Sequence, residues 1–155
     1  AEAALKLNIT TVGTPKSLLE KGVRASISKV LGFPATINVT VAAPPSAATI
    51  ENYVTTVLDR YDAATTDAAR LDVIIKEYYL ATWGNGIEPY NNYRRTGSPN
   101  NMQLTVTTAN SGLFIRSFLY PTVYIERNIN APKQKNPGVA ANKVFWDNNP
   151  DNFIK

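Results

Sequence analysis

The chain has 155 residues, no cysteine, no histidine and a formal net charge of +4. Those absences exclude thiol chemistry, thiolate metal sites, a Ser-His-Asp relay and an imidazole switch near neutral pH, leaving carboxylate and lysine chemistry and oxygen-ligated cations. The length predicts a single domain over residues 1–155, and the scattered basic residues, with Arg94-Arg95 the one adjacent pair, read as a solvated surface rather than a nucleic-acid footprint.

The opening Ala1-Glu-Ala-Ala-Leu-Lys-Leu reads as the tail of a helix without a start signal, as if the chain were cut from something longer. Thr14-Pro15 is the first true start, with a capping hydroxyl and a proline suited to the first helical position. Leu19, Val23, Ile27 and Val30/Leu31 continue one helical stripe, and Gly32-Phe33-Pro34 is expected to stop it. Ile37, Val39 and Val41 alternate with polar residues, as a short strand or an extended connection would. Ser46 is placed to cap a second long helix. Its Ile50, Tyr53, Val54, Val57, Leu58 and Tyr61 give the cleanest amphipathic pattern in the chain.

A third helix is expected from about Asp67 to Trp83. Leu71, Ile74, Ile75 and Tyr78 make one face, and Val73, Leu80 and Trp83 another, so it should pack on two sides or leave an exposed apolar patch. Asn85-Gly86 ends it, and a shorter helix follows from Ile87 to Arg95. Period-two alternation at Met102, Leu104 and Val106, then the turn signal Asn110-Ser111-Gly112, predicts a β-hairpin over Met102–Tyr120. Pro121-Thr122 opens a last short helix ending near Asn130. The segment from Ala131 should be irregular, with Phe145, Trp146, Phe153 and Ile154 as anchors onto the body. The fold class is therefore mainly α: three or four helices in antiparallel hairpins, a short β-hairpin and long irregular C-terminal loops.

Chemistry-bearing residues are densest between Trp83 and Pro99. An enzymatic reading makes Glu88 a base and Arg94 and Arg95 anion clamps. The plainer reading has the rigid guanidinium forks tying loop carbonyls and carboxylates together. A glycoside hydrolase needs only two carboxylates, but none of Glu51, Asp59, Asp62, Asp67, Asp72, Glu77, Glu88 and Glu126 forms an evident pair. Asp147 to Asn152 offers oxygen ligands but lacks the glycine and terminal Glu of an EF-hand loop, so no metal and no cofactor is expected. Asn8-Ile-Thr10 and Asn38-Val-Thr40 match the glycosylation sequon by chance. Tyr120, Tyr124 and Trp146, amid abundant Asn, suit the apolar faces and hydroxyls of sugars and are the candidate ligand-binding residues.

The stretch from Arg70 to Pro99, with Trp83, Gly86, Glu88, Tyr90 and then Arg94-Arg95-Thr96-Gly97-Ser98-Pro99, resembles the C-terminal signature of SusD/RagB-type proteins. Ala1–Leu5, Glu20–Ser26, Phe114–Pro121, Glu126–Asn128 and Lys143–Asp147 resemble further segments of that family, so the resemblance runs along essentially the whole chain. It implies a surface-exposed lipoprotein of the outer membrane of Bacteroidetes-type bacteria, with a fold of tetratricopeptide-like helix pairs. It implies binding of oligosaccharide or peptide, without catalysis, and a SusC-type TonB-dependent transporter as partner. The lipidated Cys of the family is not in this sequence, which looks like the C-terminal third of a member, the remainder of the chain being a further partner. The family's best-known ligand contacts lie upstream of the signature, so Gly86, Glu88, Tyr90, Arg94, Arg95, Thr96, Gly97 and Pro99 carry over as structural residues only. Rival readings are an adhesive or structural surface module without a small ligand, and a carboxylate-only hydrolase.

Overall fold

A computed structural model describes residues 1–103, 116–135, 143–150 and 153. Among them are six α-helices: α1 (Glu2–Lys6), α2 (Pro15–Thr36), α3 (Ala47–Ala63), α4 (Asp67–Ala81), α5 (Ile87–Thr96) and α6 (Thr122–Arg127). The count exceeds the three or four of the fold class by short helices that nonetheless stand where helix was expected: α1 at the opening, α5 from Ile87 and α6 from Thr122. The chain divides into two compact units, residues 1–89 and 90–155.

The first unit is built by capped, amphipathic helices. Thr14, Ser46 and Thr66 each accept a hydrogen bond from a backbone N–H of the first turn they open, at Ser17, Thr49 and Ala69. α3 packs against both α2 and α4, and α1 against α2 and α4. Leu19 and Val23 of α2, Val54, Val57 and Tyr61 of α3 and Ile74 of α4 form the core, with Ile27, Ile50, Leu58 and Val73 around it. Fully removing an aliphatic side chain such as Leu19, Val54 or Val57 from water contributes about 1.5–3 kcal/mol.

One expectation is corrected here and one open alternative is decided. Helix α2 does not stop at Gly32 but runs through Pro34 to Thr36. A proline so near the end removes one helical hydrogen bond with little helix left to break. The alternating residues after it form no strand: Ile37 N–H and Val39 N–H both donate to Pro34 O, closing a turn. Asn38 sits at φ 53 in that turn and Asn8 at φ 53 just past the end of α1, so both sequon asparagines serve left-handed backbone, which Asn tolerates better than most residues.

Helix α4 buries Leu71, Ile74, Ile75 and Glu77 but leaves Tyr78, Leu80 and, beyond its end, Trp83 exposed, Trp83 at 86%. Of the apolar second face foreseen from the sequence, Leu80 and Trp83 stand open while Val73 packs against the core, and Tyr78 of the first face is exposed as well.

In residues 90–155, the hairpin expected over Met102–Tyr120 lies for its larger part outside the described residues. Its described flanks, 102–103 and 116–120, are irregular, and there is no strand among the described residues. Of the aromatic anchors foreseen near the C-terminus, Phe145 and Trp146 are exposed, at 92% and 63%, and pack edge to face on each other at 4.6 Å, whereas Phe153 is half-buried against Gly97. Ile154 lies outside the described residues.

Candidate functional site

The signature segment is ordered by its own side chains. Asn85 Oδ1 accepts from the N–H groups of Ile87 and Glu88 at 3.1 and 3.3 Å, which starts α5. At the other end Thr96 Oγ1 donates to Asn92 O at 2.6 Å, accepts from Ser98 N–H at 3.2 Å, and Gly97 N–H donates to Tyr93 O at 2.8 Å. Gly97 has φ 70, and a Cβ there would lie 3.0 Å from the carbonyl oxygen of Phe153, so the position requires glycine on two counts. Ser98 and Pro99 behind it are buried. Gly86 has open space around it and Glu88 is exposed.

The two arginines diverge. Arg95 is exposed and donates to Asn92 Oδ1 at 2.8 Å. Arg94 turns toward Asp147, with Nη2 3.7 Å from its carboxylate, and lies 5.4 Å from the centroid of the Tyr90 ring, whose hydroxyl is pushed up in pKa chiefly by burial. Asn149 Nδ2 donates to Arg94 O at 2.8 Å.

The strongest polar assembly centres on a residue that the reading by motif did not single out. Arg116, 2% exposed, donates from Nε and Nη2 to the two carboxylate oxygens of Asp147 at 2.9 and 2.7 Å. It also donates to the backbone carbonyls of Pro150 and Asn149 at 2.8 and 3.1 Å. This is the loop-tying fork expected of Arg94 and Arg95, carried out by a third arginine. The guanidinium of Arg116 holds the Asp147 carboxyl below the usual carboxylate range, against the opposing effect of burial. Asp147 is therefore a structural anion here. The signal available for Arg116 was its place in the segment Phe114–Pro121.

Of the three aromatic candidates, Tyr120 and Tyr124 come together, with centroids 6.1 Å apart and planes at 51°. Trp146 pairs with Phe145 instead. Gln134 fixes the Tyr120 backbone from both sides: its Oε1 accepts from Tyr120 N–H at 3.1 Å and its Nε2 donates to Tyr120 O at 3.0 Å. The same Oε1 accepts from Lys135 N–H at 3.0 Å. Lys135 Nζ then stands 4.5 Å from the Tyr120 ring centroid and donates to the buried Ser117 Oγ at 2.7 Å. The arrangement is a fixed ammonium on one ring with a second ring, Tyr124, 43% exposed beside it.

A family model described as SusD-like, Susd and RagB outer membrane lipoprotein, matches residues 1–142. The chain belongs to that family. No curated protein and no solved structure matches it. SusD-like proteins are nutrient-binding lipoproteins of the outer membrane rather than enzymes. Among the described residues of this member, no helix is long and apolar enough to cross a membrane.

Proposed function

We propose that this SusD-like chain binds oligosaccharide or peptide nutrients at the cell surface and delivers them to a SusC-type TonB-dependent transporter in the outer membrane. The observation that carries the reading is the family match over residues 1–142. The paired rings of Tyr120 and Tyr124 support it locally, because tyrosine joins a flat apolar face to a polar edge. The packing of α3 against both α2 and α4 supports the tetratricopeptide-like helix pairs that this reading implies. In this reading Gly97, Thr96 and Arg94 keep the signature segment in shape and take no part in binding.

Titration calorimetry of the protein against a panel of neutral glycans, acidic glycans and peptides tests the reading. Saturable heat with at least one class is expected. Binding of neither glycans nor peptides would remove nutrient capture. Cleavage of any glycan in the panel would replace it with the carboxylate hydrolase.

A further inference from the structure

The +4 net charge is not spread evenly. Residues 1–89 carry eight Lys and Arg against nine Asp and Glu, whereas residues 90–155 carry eight against three. One of those three, Asp147, is consumed by Arg116 and Arg94 inside the unit. The second unit therefore presents excess positive charge, and that biases its surface toward anions.

The Tyr120–Tyr124 cluster is where that charge meets an aromatic surface. Lys135 is held by the Tyr120 ring and by Ser117, and its backbone is fixed by Gln134, so the ammonium is positioned before any ligand arrives. Only one of its three N–H groups goes to Ser117, and an ammonium has no acceptor role to offer. Arg127 and Lys133 stand exposed in the same stretch of chain, with Glu126 the single acid among them. Tyr120 already carries a cation near its ring, which leaves Tyr124 as the ring free to take a sugar face.

We propose that Tyr124 and Lys135 form a subsite for an acidic sugar, in which a pyranose ring packs on Tyr124 and its carboxylate or sulfate ester pairs with the Lys135 ammonium. This rests on the nutrient-binding reading and narrows its ligand to an anionic oligosaccharide. The recognition follows from charge-assisted hydrogen bonding, which is stronger than bonding to a neutral hydroxyl. A peptide would need backbone partners, and the Tyr120 amide and carbonyl are already taken by Gln134.

The test uses pairs of probes that differ in charge alone: oligogalacturonate against its methyl ester, and sulfated dextran against dextran, titrated into the full chain. The acidic member of at least one pair should bind about tenfold more tightly than its neutral partner, and the difference should shrink with added salt. Lys135→Gln should abolish the difference, leaving acid and ester equal, while Tyr124→Ala should weaken both. Equal affinity for the acidic and neutral members of every pair, with binding intact, would overturn the acidic subsite and leave nutrient capture standing. A preference that survives Lys135→Gln would also overturn it, as would capture of acidic peptides in place of acidic sugars. No binding to any glycan or peptide would take both readings down together. Far-UV circular dichroism of each variant, unchanged from the parent, keeps misfolding from imitating these losses.

Discussion

In residues 1–89 the most deeply buried side chains are Val54 and Val57, each 1% exposed, and Ile75 at 2%. In residues 90–155 Arg116 is buried as deeply, 2% exposed, on the carboxylate of Asp147. The first unit holds itself by removing apolar surface from water, which is non-directional and tolerates exchange of one aliphatic for another. The second uses directed bonds between segments far apart in the chain. These fix geometry closely but fail as a set when one partner is lost. A surface that must hold a fixed shape on irregular backbone gains from the second kind of cohesion.

The sharpest way to break that contrast is at Arg116. Arg116→Met leaves Asp147 buried with the Asn149 N–H and the more distant Arg94 as its remaining partners and should cost about 3–5 kcal/mol, read from denaturant unfolding followed at the second unit's aromatics. The double change Arg116→Met with Asp147→Leu should recover a large part of the loss, because two apolar groups leave no unpaired charge. A double variant no better than the single would show that the bonds to the Asn149 and Pro150 carbonyls, rather than the ion pair, hold the segment. In the first unit, Val54→Ala should cost about 2 kcal/mol, whereas the volume-conserving Ile75→Leu should cost less than about 1.5 kcal/mol.

The same contrast explains what could be read in advance. Helix α3 was legible in full, since Ser46 caps it and its stripe from Ile50 to Tyr61 repeats at the helical period. The α5 segment was legible through its resemblance to a family signature. Arg116 and Asp147 were not paired in the reading because they lie 31 residues apart, and an ion pair across that distance leaves no local pattern. Trp146 was misjudged as an anchor for a related reason: aromatic character raises the odds of burial without fixing which ring is buried. Tyr120 and Tyr124, four apart and spanning the start of α6, were nameable, but the ammonium that occupies Tyr120 was not.

The units should also differ in their response to pH. Asp147 has its carboxyl pKa lowered in the folded chain, chiefly by the hydrogen bonds of Arg116. A lowered carboxylate pKa contributes stability that is present above its unfolded value, about 4, and lost as pH falls through the folded one. Acid should therefore loosen the second unit below about pH 4. Asp147→Asn should flatten that dependence, and a melting curve taken at several acidic pH values checks it.

The smallest expected effect lies at a buried polar contact inside the first unit. Tyr53 donates its hydroxyl to the buried Glu77 at 2.6 Å, and Glu77 is 7% exposed. Desolvation, then the Glu77 carboxylate, pushes the Tyr53 hydroxyl up to about 12. A raised pKa contributes stability that is complete below the unfolded value near 10 and lost as pH rises through the folded one, so the first unit should weaken between about pH 10 and 12. Tyr53→Phe should lower stability at neutral pH by only about 1 kcal/mol, since Tyr53 is itself part-exposed and water can reach the carboxylate in its place. The alkaline loss should then shrink in the variant, as seen by circular dichroism at rising pH. A loss nearer 3 kcal/mol would mean that Glu77 is sealed from water, and that the apolar unit too depends on a directed bond.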